Sequence, residues 1–158
     1  MIFLDASPLL AVLLDMEKAD QCEGILSGIE VNQIKAVTTS HVLEETAFKL
    51  TFAKASEILQ TKNVWKIREE LKTDGPLRKE CHKTLRAFLD YVETLCFGGL
   101  RVMEVQEEDI FNIPRIFEET GLLTADCLHL AVIRRLNIKS IATLDEDFRK
   151  VKELTVLP

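Results

Sequence analysis

Short apolar runs alternate with longer stretches of helical periodicity along the chain. Five short runs, bounded by polar residues or glycine, predict strands: residues 2–4, 35–39, 100–105, 140–144 and 154–156. Between these runs, apolar residues recur every three or four positions, which predicts helices. Because helices separate successive strands, we expect an α/β fold with three layers, α/β/α, around a central, mostly parallel sheet of about five strands.

The predicted helices begin close to the ends of the strands and differ in length. They cover the following residues: 8–14, 20–28, 40–52, several segments within 54–97, 107–119, 124–136 and a short turn at 146–151. Ser7, Ser40 and Thr124 are expected to cap helices, since serine and threonine accept hydrogen bonds from the first backbone N–H groups. The segment 54–97 contains no strand pattern and is interrupted at Thr73-Asp74-Gly75-Pro76.

The length and composition narrow the class of protein. A chain of 158 residues with 47% hydrophobic and 29% charged residues is typical of one globular domain, here residues 1–158. No apolar run is long enough to cross a membrane, and the first residues lack the basic start of a signal peptide. We therefore expect a cytoplasmic protein without a membrane partner. The cysteines at 22, 81, 96 and 127 lack zinc-site spacing and are expected to be buried free thiols.

The net charge of −6 argues at first against a nucleic-acid partner, because phosphate contacts need lysine and arginine. The charge is unevenly distributed, however. Residues 49–86 hold 10 basic and 5 acidic side chains, a net charge of +5, whereas residues 1–48 and 87–158 carry −6 and −5. The helical middle segment at about 54–97 is therefore largely basic. This segment is either a solvated surface or a surface that binds the phosphates of a nucleic acid.

Acidic residues cluster where the predicted strands end and the next helices begin. Asp5 follows the first strand, and Asp145 follows the fourth with Asp147 close behind. Asp126 lies in a first helical turn, and Glu44 and Glu45 lie near the start of another helix. Carboxyl ends of parallel strands meet at one edge of a sheet. Carboxylates gathered there repel one another unless a cation lies between them, and Mg²⁺ or Mn²⁺ prefers such oxygen ligands.

Helix capping is the competing interpretation of these acids. Aspartate and glutamate are common at helix N-termini for capping and dipole reasons alone, and Thr143 to Glu146 matches a capping box. Asp5 and Asp126 have other caps available, in Ser7 and Thr124 respectively. The conjunction of several acids therefore favours a metal site over a set of separate caps.

Four segments resemble the PIN domain, the ribonuclease fold of VapC-type toxins in toxin–antitoxin pairs. They are Ile2 to Leu10, Thr39 to Leu50, Gly121 to Ala131 and Ile141 to Phe148, in that order. The resemblance covers most of residues 1–50 and 100–158, whereas the middle matches only in being helical. Thr46 and Ala47, after Glu45, are smaller than the residue pair usual in the family.

The resemblance implies a PIN-like fold and a metal-dependent endoribonuclease that uses Mg²⁺ or Mn²⁺. It implies catalytic acids at Asp5, Glu45 (or Glu44), Asp126 and Asp145. Metal ligands would be Asp5, Asp126 and Asp145, with Asp147 as an outer partner. Small hydroxyl residues, Ser7 and Thr143, would line the site. The alternative within the family is a PIN-like module that binds nucleic acid or protein without cleaving.

Further expectations concern the substrate and partners. The basic side chains of Lys49, Lys62, Lys66 and Arg68 are predicted to contact RNA. His129 and His41 are expected to be a half-buried and a surface residue, respectively. Trp65, Phe48 and Phe52 are expected in the core. The resemblance also implies a homodimer and an antitoxin protein as partners.

Overall fold

The computed structural model describes all 158 residues and contains five strands and eight α-helices. The strands are β1 (Ile2–Leu4), β2 (Ala36–Thr39), β3 (Leu100–Met103), β4 (Ser140–Ala142) and β5 (Thr155–Leu157). The helices are α1 (Ala6–Leu13), α2 (Ala19–Glu30), α3 (Ser40–Leu59), α4 (Val64–Thr73), α5 (Gly75–Phe97), α6 (Glu107–Phe111), α7 (Ile113–Thr120) and α8 (Thr124–Arg135). A 3-10 turn spans Glu146–Lys150.

The sheet has the order β3-β2-β1-β4-β5, and every neighbouring pair is parallel. The predicted α/β/α arrangement with five strands is confirmed, and the sheet is wholly rather than mostly parallel. Right-handed connections place the helices between β1 and β3 on one face and the helices between β3 and β4 on the other. The main core contains 28 buried residues, among them Phe3 of β1 and Phe148 of the 3-10 turn.

Helix boundaries differ from the prediction in places where local chemistry decides them. The predicted helix 107–119 is two helices, because Asn112 ends α6 and Pro114 lies in the first turn of α7, where its missing N–H costs nothing. Gly98 and Gly99 end α5 as expected. A Cβ at either position would approach backbone oxygens of Ile29, Glu30 or Ile34 within 2.4 Å, so only glycine allows this packing.

Three predictions about the burial of cysteine, tryptophan and phenylalanine side chains are wrong. Cys96 is exposed although the other three cysteines are buried. Trp65 is 73% exposed and Phe48 is 52% exposed, so neither belongs to the core. Both aromatic side chains lie on helix faces that turn away from the sheet, and only Phe52 is partly buried. No helix combines the length and the apolar character that a membrane span requires.

A buried ion pair joins α6 to α8. The carboxylate of Asp109, 1% exposed, accepts hydrogen bonds from Nε and Nη2 of Arg135 at 2.9 Å each. It also accepts the backbone N–H of Gln106 at 2.8 Å. Nη2 of Arg135 donates in addition to the carbonyl of Glu104 at 2.8 Å. The pair thereby anchors the chain between β3 and α6 against α8.

Replacement of Asp109 by alanine is expected to lower the free energy of unfolding by about 3 kcal/mol, because a mostly buried guanidinium loses its charged partner. Chemical denaturation measures this loss. The control is Glu119→Ala, which removes a more exposed partner of Arg134 and should cost less than about 1 kcal/mol. Equal losses in the two variants would contradict a structural role for the buried pair.

Candidate functional site

The candidate site lies where the strand order reverses. From β1, the chain adds β2 and β3 on one side and later adds β4 and β5 on the other. Connections leave β1 and β4 toward opposite faces of the sheet, so a crevice opens beyond their carboxyl ends. Asp5 directly follows β1, and Thr143 directly follows β4. The predicted placement of Asp5 and Asp145 at one sheet edge is therefore confirmed by the topology.

Hydroxyl groups hold the Asp5 carboxylate in place. Ser7 Oγ and Thr143 Oγ1 donate to the same oxygen, Asp5 Oδ2, at 2.8 and 2.7 Å. The hydroxyls in turn accept backbone N–H groups: Ser7 from Leu144 at 2.9 Å, and Thr143 from Asp145 at 3.1 Å. This network ties the end of β1 to the end of β4. Ser7 and Thr143 thus orient an acid of the site.

The capping expectations are wrong in detail. Helix α1 begins at Ala6, so Ser7 lies inside its first turn, and Asp5 occupies the N-cap position without accepting a capping hydrogen bond. Helix α3 is capped by Thr39, which accepts the N–H of Val42, rather than by Ser40. Thr124 is the first residue of α8 and does not cap it. The Asp5 carboxylate is nevertheless free of a capping role.

Asp145 does serve as a cap. Its Oδ1 accepts the N–H of Asp147 at 2.8 Å at the start of the 3-10 turn. The predicted capping box from Thr143 to Glu146 does not form, since Thr143 turns toward Asp5 instead. Capping occupies one oxygen of Asp145, and a carboxylate has two.

Electrostatics show that the acids converge on Asp126. Burial, together with the nearby negative charges on Asp145, Asp5, Glu45 and Asp147 in that order of size, raises the pKa of its carboxyl group to about 6. These carboxylates come from β1, α3, the end of β4 and the 3-10 turn. Residues up to 142 positions apart in sequence therefore share one electrostatic environment.

The two adjacent glutamates of α3 differ in position. Glu45 is half-buried and contributes to the raised pKa of Asp126, whereas Glu44 is exposed and does not. Lys49, one turn later, forms an ion pair with Glu45 at 2.6 Å. Lys49, which was predicted to contact RNA, is therefore paired with one of the site's own acids. Successive helix positions point about 100° apart, which explains why only one glutamate faces the crevice.

The donor chemistry fits a hard divalent cation, since carboxylate oxygens are the ligands that Mg²⁺ and Mn²⁺ prefer. Burial first, and then the negative charges of its neighbours, raise the pKa of Asp126, and a cation among these carboxylates would offset the second effect. The only paired acids are at the margin, Glu45 with Lys49 and Asp147 with Lys150. No three acidic, histidine or cysteine side chains approach closely enough to form a ready-made cage. The fit to a divalent cation therefore rests on the carboxylate oxygens as donors and on the proximity of several of them to Asp126.

His129 is completely buried beside Asp5, rather than half-buried. Its Nδ1 lies 3.8 Å from Asp5 Oδ1, too far for a hydrogen bond, and neither ring nitrogen has a partner. Burial lowers the pKa of His129, against the opposing effect of Asp5, so the imidazole is neutral at pH 7. His41 of α3 is half-buried, with its ring centroid 5.7 Å from that of His129. The two rings join α3 to α8 at the crevice.

The other predicted RNA contacts lie away from the acids. Lys62 precedes α4, and Lys66 and Arg68 lie on it. Helix α3 rises about 1.5 Å per residue, which puts its end at Leu59 about 21 Å along the axis from Glu45. The segment that carries these three cations therefore starts about 21 Å along α3 from Glu45, and Ile67 of α4 packs with Ala55 near that end of α3.

Sequence reasoning did not single out two basic residues that lie nearer to the acids. Lys18 and Arg149 line a cleft of about 240 Å³ that also includes Thr143, Leu144 and the end of β5. Lys18 has no carboxylate within 4.0 Å, and Arg149 pairs with Glu146. The two residues come from opposite ends of the chain. Only the strand order brings them together, so no local pattern indicates their proximity.

The raised pKa of Asp126 predicts a specific pH dependence in metal-free protein. The group binds its proton more tightly in the folded state than in the unfolded state, where the pKa is about 3.9. Its contribution to stability is therefore lost as the pH rises from about 4 to 6. Relative to the wild type, Asp126→Asn should gain stability over this range. Denaturation in chelator measures the difference, and a difference that grows on acidification would contradict the assignment.

A comparison with protein-family models decides the family. The PIN domain model matches residues 2–154, nearly the whole chain. The chain belongs to the PIN domain family. Within that family, ribonuclease VapC6 of Methanocaldococcus jannaschii is 25% identical over 156 residues, which cover 99% of this chain and 95% of the relative.

Solved structures of related proteins share the fold of this PIN domain. VapC20 of Mycobacterium tuberculosis, described as a sarcin-ricin loop cleaving toxin, superposes with a TM-score of 0.64 at 17% identity, covering 100% of both chains. VapBC2 of Rickettsia felis, bound to a DNA fragment from its promoter, gives 0.57 at 16% identity, covering 99% of this chain and 97% of the other. The predicted PIN-like fold is confirmed.

Proposed function

We propose that this PIN domain is an Mg²⁺- or Mn²⁺-dependent endoribonuclease whose catalytic acids are Asp5, Glu45, Asp126 and Asp145. The observation that carries the proposal is the convergence of these acids, with Asp147, on one crevice, where together with burial they raise the pKa of Asp126 to about 6. All four acids of the family resemblance are present. This completeness supports a cleaving enzyme rather than an inactive binding module.

The side chains have distinct roles in this proposal. Asp5, Asp126 and Asp145 would hold the cation, and Asp147 would lie outside them. When bound, a divalent cation lowers the pKa of a coordinated water toward neutrality and offsets charge on the scissile phosphate. Ser7 and Thr143 keep the Asp5 carboxylate in one orientation through their hydrogen bonds to Oδ2. Because its pKa is about 6, Asp126 is mostly ionised at pH 7.

RNA is proposed as the substrate on two grounds. The 25% identical relative is named a ribonuclease, and VapC20, which shares the fold, is described as a toxin that cleaves the sarcin-ricin loop. In this chain, Lys18 provides an unpaired positive charge in the cleft beside Thr143, and Arg149, which pairs with Glu146, adds N–H donors there. Phosphates of a bound strand could contact these side chains while the scissile bond lies at the acids.

The proposal is tested by incubating the purified protein with a mixed RNA pool that includes ribosomal RNA. We expect defined fragments with Mn²⁺ and intact RNA with a chelator, and sequencing of the new ends locates the cleavage sites. Fragments that form equally in chelator would contradict a metal-dependent reaction. Intact RNA in every sample, from a protein shown to bind Mn²⁺, would favour the binding module.

Two protein partners complete the proposal: an antitoxin and a second copy of the chain. The Rickettsia felis structure is of a VapBC pair, which supports an antitoxin partner here. Large apolar side chains are exposed on the surface, including Phe97 at 85% and Phe111 at 72%. Sedimentation of the purified chain tests the homodimer, with a monomer at micromolar concentration as the contradicting result.

A further inference from the structure

The middle of the chain forms a helical arm with a small core of its own. We define the helical arm as residues 55–81, which span the end of α3, α4 and the start of α5. Four buried residues pack together inside it: Ala55, Ile67, Leu77 and Cys81. This core is separate from the main core under the sheet. The helical arm therefore has an outer surface that is not needed to build the sheet.

Trp65 lies on this outer surface. Its side chain is 73% exposed, whereas Ile67, two positions later on α4, is 2% exposed and packs into the small core. Two helix positions differ by about 200° in direction, so Trp65 points away from the core. An exposed indole in the first turn of a helix costs hydrophobic stabilisation and has no packing role here. Its flat ring is available to a ligand.

The cations around Trp65 are uncompensated. Lys54, Lys72, Lys83 and Arg86 each form an ion pair with a carboxylate one helical turn away. By contrast, Lys62, Lys66 and Arg68 have no carboxylate within 4.0 Å, and these three surround the Trp65 position in sequence. Of the five cations in the helical arm that have no carboxylate within 4.0 Å, three thus lie within three positions of its exposed indole, and the other two, Arg78 and Lys79, lie on α5.

We propose that the helical arm binds single-stranded RNA, with a base stacked on Trp65 and phosphates at Lys62, Lys66 and Arg68. An aromatic platform flanked by free cations is the combination with which proteins bind single strands, because every base has a face to stack and every nucleotide a phosphate. An apolar protein surface would fit the indole but leave three cations without a counter-charge, whereas an RNA strand supplies both a base and phosphates. The inference rests on the proposed ribonuclease function and extends it by a second contact.

The distance between the acids and Trp65 determines which part of a bound RNA strand the helical arm would contact. The end of α3 lies about 21 Å along the helix from Glu45, so Trp65 cannot touch the scissile phosphate. The helical arm would therefore hold a part of the strand remote from the bond that is cut. Loss of the contact should raise KM and leave kcat nearly unchanged, because the acids remain intact.

Fluorescence provides a direct readout, since Trp65 is the only tryptophan in the chain. Asp5→Asn protein, chosen so that the RNA is not cut, is titrated with single-stranded oligouridine. We expect quenching of the indole that saturates with RNA. The triple variant Lys62→Glu, Lys66→Glu and Arg68→Glu should weaken this binding and reduce its salt dependence. A control triple with the same charge change elsewhere, at Arg115, Lys139 and Lys152, should retain the quenching.

Substitution of the platform supplies the second readout. Trp65→Ala should weaken RNA binding by roughly five- to 150-fold, as expected from about 1–3 kcal/mol of stacking, and Trp65→Phe should restore part of it. Because these variants lack the indole, the anisotropy of a dye-labelled oligouridine measures their binding. Phe111→Ala, which removes another highly exposed aromatic ring, should bind as the wild type. Melting temperatures close to the wild type establish that the variants are folded.

The results distinguish an error in the proposed RNA binding by the helical arm from an error in the proposed ribonuclease activity. Metal-dependent cleavage by the wild type without indole quenching, or with unchanged KM in Trp65→Ala, would overturn the proposal and leave the ribonuclease intact. Quenching without any cleavage would support RNA binding and contradict the ribonuclease. Self-association that Trp65→Ala abolishes, with no effect on RNA binding, would show that the surface binds a second copy instead.

Discussion

Replacement of Asp5 by asparagine is expected to reduce Mn²⁺-dependent RNA cleavage by more than a hundredfold. Asp5 is the acid held most firmly in place, by Ser7 and Thr143, at the point where the strand order reverses. Loss of an outer partner of a metal ligand already costs roughly 10–100-fold, so loss of a ligand's charge should cost more. The rate of cleavage of one identified RNA at saturating Mn²⁺ measures the effect.

The variant should remain folded, because asparagine keeps an oxygen that can accept from the two hydroxyls. Removal of one negative charge also relieves repulsion with Asp126. Matched controls come from the adjacent glutamates of α3: Glu45→Gln should lose activity and the exposed Glu44→Gln should not. Cleavage by Asp5→Asn at the wild-type rate, from a preparation free of other nucleases, would refute the assignment of the acids.

Mn²⁺ is expected to raise the melting temperature of the wild-type protein by about 5–10 °C. A ligand that binds only the folded state stabilises it by about 2.7 kcal/mol at a hundredfold excess over Kd. For a chain of this size, 1 kcal/mol corresponds to roughly 2–4 °C. The stabilisation by Mn²⁺ has a physical source, because the cation offsets the repulsion among the carboxylates. This repulsion, after burial, raises the pKa of Asp126. Thermal denaturation at pH 7.5 over a series of Mn²⁺ concentrations measures the shift.

Asp126→Asn is the informative variant for this measurement. It should start with a higher metal-free melting temperature than the wild type, and it should gain much less from Mn²⁺. Asp20→Asn, at an exposed position in the first turn of α2, should keep the full shift. An equal Mn²⁺ shift in Asp126→Asn and the wild type would show that the ion binds elsewhere.

Much of the fold could be predicted because it depends on local patterns. The short apolar runs specify buried strands, and the helices between them require parallel connections, so the edge where Asp5 and Asp145 meet follows from topology. Asp126 and the pair Glu44 and Glu45 were indicated by their positions near the starts of helices, and the family resemblance selected Glu45. The structure places Asp126 and Glu45 with the strand-end acids. The segment without strands, at 54–97, could be predicted as helical for the same reason.

What could not be predicted depends on contacts between distant segments. The cleft that holds Lys18 and Arg149 exists only because β4 and β5 lie beside β1. The direction of Trp65 depends on how α4 packs on α3 and α5, and hydrophobicity alone wrongly indicated the core. Ser7 and Thr124 are good capping residues by type. Each nevertheless lies inside the helix that it was expected to cap, and the N-cap positions are those of Asp5 and Leu123.

The position of a bound Mn²⁺ ion tests the central claim most directly, because a trace of contaminating ribonuclease can imitate cleavage but not the location of an ion. The measurement is anomalous diffraction from crystals of the wild-type protein equilibrated with Mn²⁺ at pH 7.5. We predict a peak in the crevice beyond β1 and β4, within about 2.5 Å of carboxylate oxygens of Asp5, Asp126 and Asp145. An ion bound only at other residues, or no ion in this crevice at saturating Mn²⁺, would contradict the account.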